Sequence, residues 1–336
     1  MADKDLSQKQ LQEEPEVFAD IFNAVVFKGE KVLRPERLQP MDREAVVHPG
    51  NNGLKQMFRD VSMKDTDSGT EYLILGIENQ TEFDVTMPLR GMGFDYAAYE
   101  KEVKSLANEN RRKKGLKGMG RIYRRQKITP VVTLVLYYGD EEWKGARCLY
   151  DMLKLPDENQ YPGILSYIHD YGMNLVCLKN MPADVAGRFT SDFRFLVKYV
   201  RSRKNKAELN LMFSDENEVM EHPYETLTAM AAISGDMRYL DIGSKVKGRS
   251  GLTMCVVLDE AEKRGEKRGE KRGEIRGEKR GEKRGEIRGE IIGFQKGQAR
   301  VNQLLKLLAD QNRIEDILKS AQDPAYQERL FSEFGI

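Results

Sequence analysis

The stretch Glu71-Tyr-Leu-Ile-Leu-Gly-Ile-Glu-Asn-Gln80 is apolar until its last residues, where Glu78 and Gln80 stand two positions apart. A short apolar run of this kind predicts a buried β-strand. Side chains along a strand alternate between its two faces, so Glu78 and Gln80 lie on the same face. The preceding strand, predicted over residues 54–64, carries Asp60. Two paired strands therefore each bring a carboxylate to the end of an apolar sheet.

The elements around this strand alternate between helix and strand. A helix opens at Pro15, a polar turn over 65–69 joins the two strands, a second helix spans about 88–110, and 131–138 form a buried central strand. This alternation is typical of an α/β domain with a mixed sheet.

Composition argues against two broad classes of protein. The chain has 336 residues, of which 40% are hydrophobic and 32% charged, and its formal net charge is +1. That hydrophobic content suffices for a packed core, so the chain is not disordered throughout. Its longest apolar run, residues 131–138, is far shorter than the ~20 residues that span a bilayer, and its first residues lack the apolar segment of a signal peptide. We expect a cytoplasmic protein that does not enter a membrane.

Cysteine and histidine supply neither a disulfide framework nor a zinc motif. Both residue types are scattered along the chain, with no pair at the sequence spacing of metal ligands. They are Cys148, Cys177, Cys255, His48, His169 and His222.

The pair Asp60 and Glu78 suits a hard divalent cation. Mg²⁺ takes one or two carboxylates and keeps several waters, which leaves room for a phosphate and an attacking water. The residues alone leave a second interpretation open, in which Glu78 is a solvated residue at a strand end and Asp60 is an ordinary surface carboxylate.

Motifs along most of the chain occur in an order that points to one family. They are Phe18-Ala-Asp-Ile-Phe-Asn23, Asp60, Ile77-Glu-Asn-Gln-Thr81, Met87-Pro-Leu-Arg90, Tyr96, Val132-Thr-Leu-Val-Leu-Tyr-Tyr-Gly139, Trp143 and Ser191-Asp-Phe-Arg194, followed by charged glycine repeats and a short tail. On these residues the chain resembles the Rpn-like family of recombination-promoting nucleases and putative transposases, within the PD-(D/E)XK nuclease superfamily.

The resemblance implies a fold, a cofactor and four site residues. The fold is a restriction-endonuclease-like core, a mixed sheet flanked by helices, followed by a helical, repeat-containing C-terminal region. Asp60 and Glu78 are implied as ligands of Mg²⁺, and Gln80 takes the position of the superfamily's lysine. Asp20 is implied as the additional acidic residue, a position for which Glu14 and Glu16 compete. Glutamine offers hydrogen bonds where lysine offers a positive charge near the scissile phosphate.

A basic segment without acidic residues follows the predicted helix 88–110. Lysine and arginine neutralise backbone phosphates and supply most non-specific affinity for DNA, so this segment is the candidate DNA-binding surface. The alternative is a solvated loop. Its nine basic residues are Arg111, Arg112, Lys113, Lys114, Lys117, Arg121, Arg124, Arg125 and Lys127.

Residues 260–290 read as Glu-Lys-Arg-Gly tetrapeptides, with isoleucine in place of lysine at Ile275 and Ile287. A four-residue period drifts ~40° per repeat around an α-helix, and each glycine costs ~1 kcal/mol relative to alanine, so an isolated helix is poorly stable. A solvated linker and a self-associating helix both remain open, and we expect at least a dimer. The expected organisation is a nuclease-like domain over 1–205, a helical connection over 206–258, repeats over 259–293 and a small helical module over 294–336.

Two hypotheses of function follow. The first is a Mg²⁺-dependent DNA endonuclease with low sequence specificity, in which Asp60 and Glu78 hold the metal and Gln80 positions water. The second is a catalytically weak or inactive nuclease fold that acts as a DNA-binding or oligomeric interaction module. Gln80 in place of lysine is the feature that favours the second hypothesis.

Overall fold

A five-stranded mixed sheet holds together the N-terminal part of the chain. The computed structural model describes residues 9–41, 44–47, 55–58, 60–67, 70–114, 122–215 and 217–336. The strands are β1 (Leu38–Pro40), β2 (Glu44–Val47), β3 (Lys55–Phe58), β4 (Val61–Asp67), β5 (Thr70–Gln80), β6 (Val131–Tyr137), β7 (Asn174–Cys177), β8 (Val219–Met220) and β9 (Leu252–Thr253). The main sheet has the order β1-β4-β5-β6-β7, with β1, β4 and β5 antiparallel and with β5, β6 and β7 parallel.

The predicted strand 54–64 is wrong in its bounds. It is two strands in two sheets, because β3 pairs with β2 in a separate ribbon and β4 belongs to the main sheet. The polar residues predicted as a turn continue β4 as far as Asp67. Pairing overrides their turn preference here, since Asp65 lies opposite Leu73 and its carboxylate binds Arg37 at 2.9 Å.

Helices cover both faces of the sheet. The described helices are α1 (Pro15–Val25), α2 (Met87–Lys114), α3 (Ala183–Ala186), α4 (Phe193–Ser202), α5 (Lys206–Met212), α6 (Pro223–Ser234), α7 (Met237–Val246), α8 (Met254–Asp310), α9 (Ile314–Gln322) and α10 (Pro324–Phe334), with a helical segment at residues 9–13. Phe18 and Phe22 of α1 share one core with Leu75 and Ile77 of β5. On the opposite face, Met87 at the start of α2 packs with β6. The helix predicted over 88–110 extends four residues further, through the start of the basic segment.

The chain forms two compact units, residues 1–263 and 264–336. Residues 206–258 share the first unit's core through Phe213, Leu227 and Met254. The second unit contains a separate apolar cluster in which Leu304 and Leu308 of α8 meet α10. No helix in the described part of the chain is long and apolar enough to cross a membrane.

The repeats lie in one continuous helix of 57 residues, α8, although the repeat geometry predicts a poorly stable isolated helix. Two features offset the cost of its glycines. Glutamate, lysine and arginine, three of the four repeat residues, are good helix formers. Both ends are also anchored, because Val257 is buried in the first core and Leu304 in the second. The element order and the sheet confirm the predicted fold class: a PD-(D/E)XK-like α/β core followed by a helical C-terminal region.

Candidate active site

Two of the predicted site residues meet where β4 begins and β5 ends. Val61 pairs with Ile77, so the next position of this register sets Asp60 beside Glu78. The backbone N–H of Asn79, the residue after Glu78, donates to Asp60 Oδ2 at 2.7 Å. Both acidic residues are buried, with exposed fractions of 8% for Asp60 and 1% for Glu78. The structure therefore brings two buried carboxylates to adjoining positions on neighbouring strands.

Each of these carboxylates faces a cationic side chain. Lys9 Nζ lies 3.0 Å from Asp60 Oδ1, and Arg90 Nη2 lies 3.5 Å from Glu78 Oε2. Arg90 also binds Asp84 at 3.1 Å. Burial raises the pKa of Asp84, but hydrogen bonds from Thr86 and Arg90 outweigh it and hold that pKa below its ordinary value. Asp84 therefore stays ionised and helps to orient Arg90 toward the site.

An amide network fixes the opposite face of the same strand end. Gln12 Nε2 donates to Asn79 Oδ1 and to Tyr138 Oη, both at 2.8 Å, and Asn79 Nδ2 returns a bond to Gln12 Oε1 at 2.8 Å. Burial, and secondarily the negative charge of Asp60, raise the pKa of Tyr138 far above its usual value. Tyr138 is therefore a neutral donor, and its hydroxyl bonds Asn79 Oδ1 at 3.0 Å. This network sets the position from which the Asn79 N–H holds Asp60.

Gln80 ends β5 on the same face as Glu78 and is half-buried. Its carbonyl accepts a hydrogen bond from the Tyr138 N–H at 2.8 Å, which fastens the strand end to β6. A partly exposed amide on the strand face that carries Glu78 can donate to a water or a phosphate oxygen.

Asp20 has a different set of contacts. Its carboxylate accepts hydrogen bonds from the N–H and hydroxyl groups of both Thr190 and Ser191, at 2.7 to 3.1 Å. Within the described residues, Asp20 does not form a three-ligand group with Asp60 and Glu78. These bonds are those of a buried carboxylate that anchors a loop, and the catalytic role implied for Asp20 stays a prediction.

Lys9 and Gln12 are site residues that the sequence did not reveal. Both belong to the helical segment 9–13, about fifty residues before Asp60 in the chain. Neither carries a motif, and only the packing of that segment against the sheet brings them to the site. The one sequence signal was that Lys9 and Gln12 are three positions apart, which puts them on the same face of a helix.

The basic segment lies away from this site. Asn110 and Gln126 exchange side-chain hydrogen bonds of 2.8 and 3.2 Å, so the end of α2 lies beside residues 124–127. Arg111, Arg112 and Lys113 are exposed there, as are Arg124, Arg125 and Lys127. Lys117 and Arg121 lie outside the described residues, as does the side chain of Lys114. Arg90, which contacts Glu78, and Arg111 are 21 residues apart on α2, a separation of ~30 Å at 1.5 Å per residue.

The fold and the site define a class, a PD-(D/E)XK-like core with two buried carboxylates at a strand end. Comparison with known families agrees, because residues 45–228 match the family described as "Putative transposase, YhgA-like". The match covers more than half of the chain, so the chain belongs to this family, and the predicted resemblance is confirmed. Membership indicates a transposase-like or nuclease-like role at the level of the family. No curated protein and no solved structure matches the chain.

Proposed function

We propose that the protein is a Mg²⁺-dependent DNA endonuclease that hydrolyses phosphodiester bonds with low sequence specificity. The observation that carries the proposal is the hydrogen bond from the Asn79 N–H to Asp60. It fixes one buried carboxylate against the backbone next to another, Glu78. Oxygen ligands of this kind are those that Mg²⁺ prefers, so the residues present fit the proposed cofactor.

The chain's own groups have distinct roles in this proposal. Asp60 and Glu78 would hold the ion, which when bound polarises a phosphate oxygen and activates water. Lys9 and Arg90 are cations within 3.5 Å of these carboxylates and can neutralise charge on a bound phosphate. Gln80 can position the attacking water through its amide. Lys9 thereby offers the positive charge that glutamine at position 80 lacks.

We propose that the basic segment is a remote DNA anchor. Its first residue, Arg111, lies ~30 Å along α2 from Arg90, the side chain that contacts Glu78, which corresponds to about 9 base pairs at 3.4 Å each. Exposed side chains such as Arg111 and Arg124 would contact phosphates and read no base edges, which is consistent with low specificity.

One observation favours the second function, a weak or inactive nuclease fold that binds DNA or assembles. Both carboxylates already have basic partners, Lys9 and Arg90, which can balance their charge without a metal. If those ion pairs are permanent, Asp60 and Glu78 stabilise the fold and bind no cation.

Cleavage of supercoiled plasmid by the full-length protein separates these two functions. The nuclease proposal expects nicked and linear product with Mg²⁺ and none with EDTA, from several unrelated plasmid sequences. Intact plasmid at enzyme concentrations that shift it in a gel would support the binding module and contradict the endonuclease.

We also propose that α8 associates with a second copy of the chain. A methyl group added at any repeat glycine from Gly269 to Gly297 would meet no neighbouring atom within 4 Å, so the single chain does not require glycine there. Isoleucines such as Ile275 and Ile287 are about half exposed on the same helix. Close approach of a partner helix, with glutamates facing lysines and arginines, would use both features.

Sedimentation of a variant that lacks residues 263–290 tests this association. The full chain should be at least dimeric, and the deletion should lower the oligomeric state while cleavage persists. A variant with alanine at Gly269, Gly273 and Gly277 keeps the helix and its charges, and it should also lower the oligomeric state because the added methyl groups hinder close approach of a partner helix. Unchanged oligomeric state in both variants would contradict self-association through the repeats.

A further inference from the structure

Three potential metal ligands from distant parts of the sequence converge on one side of α1. The ligand atoms of Glu16, Glu221 and His222 all lie within 4.8 Å of one another. Glu16 is in the first turn of α1, and the other two residues immediately precede α6. The glutamates are exposed and the histidine is half-buried, so solvent ions can reach them. This group shares no residue with the Asp60 and Glu78 pair.

Buried hydrogen bonds fix the backbone that carries two of these ligands. Asp192, only 2% exposed, accepts from the N–H groups of Glu221 at 3.2 Å and His222 at 2.6 Å. The preceding residues of the same loop, Thr190 and Ser191, are bound by Asp20 of α1. Loop 190–192 therefore connects α1 to the segment before α6, and the three side chains meet as a consequence of that buried framework.

The side chains of this group form no ion pair with the basic residues of the described chain. Within the described residues, no hydrogen bond or salt bridge engages the side chains of Glu16, Glu221 or His222. Two carboxylates this close repel each other, and a cation between them removes the repulsion. The three residues line a cavity of ≈ 520 Å³, whose lining also includes the acidic Asp20 and Asp192 and the basic Lys31, Arg34 and Arg188.

We propose that Glu16, Glu221 and His222 form a second divalent-metal site, selective for a borderline ion such as Zn²⁺ or Co²⁺. One imidazole nitrogen and two carboxylate oxygens suit these ions, whereas Mg²⁺ favours oxygen ligands alone. Three protein ligands leave coordination positions for water or for a further oxygen ligand. Bound metal would cross-link α1 to the segment before α6 and so stabilise the first unit.

Co²⁺ titration of the metal-stripped full-length chain, followed by visible absorption, tests the site. We expect one equivalent of Co²⁺ with visible d–d bands, displaced by Zn²⁺, and at least a tenfold weaker affinity in His222→Ala and Glu16→Gln. Asp60→Asn with Glu78→Gln should keep the bands, because that pair belongs to the other site. His169→Ala and Glu225→Gln are matched controls, since His169 is an exposed histidine elsewhere and Glu225 a glutamate on α6.

Thermal unfolding gives a second measurement that does not depend on catalysis. A ligand that binds only the folded state raises its stability, so Zn²⁺ should raise the Tm of the parent chain and of His169→Ala, but not of His222→Ala. Absence of stoichiometric Co²⁺ binding by the parent chain would contradict the proposal. Equal binding by the parent chain and His222→Ala would contradict it as well.

Discussion

Asp20 and Asp60 are buried to nearly the same extent, with exposed fractions of 9% and 8%, yet their surroundings differ in kind. Asp20 accepts its hydrogen bonds from neutral donors on one loop, Thr190 and Ser191. Asp60 accepts one backbone bond and faces the ammonium of Lys9. Fixed neutral donors occupy the oxygens of Asp20, whereas a long flexible cation can leave Asp60. Burial alone thus does not distinguish these two carboxylates, whereas the nature of their partners does.

The largest effect should follow from Asp60→Asn. Asparagine keeps an acceptor for the Asn79 N–H but removes the charge that would hold the metal. We expect Mg²⁺-dependent plasmid cleavage to fall by at least ~10³-fold, equivalent to about 4 kcal/mol, with little change in Tm. Rate and Tm are measured on the same preparation. If Asp60→Asn unfolds instead, Asp60 is a structural carboxylate like Asp20.

Asp20→Asn should lower stability and leave the cleavage rate nearly unchanged, the opposite of the result expected for Asp60→Asn. An amide nitrogen cannot accept from the N–H and hydroxyl groups of Thr190 and Ser191, so the free energy of unfolding should drop by about 3 kcal/mol. Guanidinium denaturation measures the loss. The cleavage rate of the folded fraction should stay within about twofold of the parent. Normal stability with lost cleavage would make Asp20 a catalytic residue, as the family resemblance implies.

Lys9→Met should reduce cleavage by about 10- to 100-fold, because it removes a positive charge beside the site and keeps the length of the side chain. Adding Gln80→Lys should recover part of the rate by returning a charge to the end of β5. Single-turnover cleavage at saturating Mg²⁺ measures both variants. If Lys9→Met cleaves faster than the parent, Lys9 competes with the metal and does not assist it.

The smallest effect should come from the basic segment, whose six described basic side chains are all exposed. Alanine at Arg111, Arg112, Lys113 and Lys114 should weaken DNA binding about tenfold at physiological salt for all sequences alike. Each lost phosphate contact should also lower the salt-dependence slope by ~0.9. Alanine at Lys101 and Lys104, on the same helix, is the matched control. Equal slopes in the two variants would show that the segment is only a solvated loop.

Much of the main sheet was predictable because short apolar runs in the sequence mark its longer strands. The apolar run that ends at Glu78 and Gln80 predicts both β5 and the shared face, and the strand assignment puts Asp60 near them. The break between β3 and β4 was not predictable, since Asp60 lies just where pairing changes from one sheet to another.

The remaining site features depend on tertiary packing. Lys9 reaches Asp60 only because the helical segment 9–13 packs on the sheet. Glu16 meets His222 across some two hundred residues of chain, although the histidines have no metal-ligand spacing in sequence. The distance from the carboxylates to the basic segment likewise follows from the length of α2 and not from sequence proximity.

Glu78→Gln compared with Glu71→Gln tests the central claim most directly. Both glutamates lie on β5, but Glu71 is exposed at the opposite end, paired with Lys64, whereas Glu78 is buried beside Asp60. The measurement is the initial rate of plasmid nicking at saturating Mg²⁺ by full-length protein of verified Tm. We predict a loss of at least ~10³-fold for Glu78→Gln and a rate within about twofold of the parent for Glu71→Gln. Nicking by Glu78→Gln at the parent's rate would contradict a metal centre at Asp60 and Glu78.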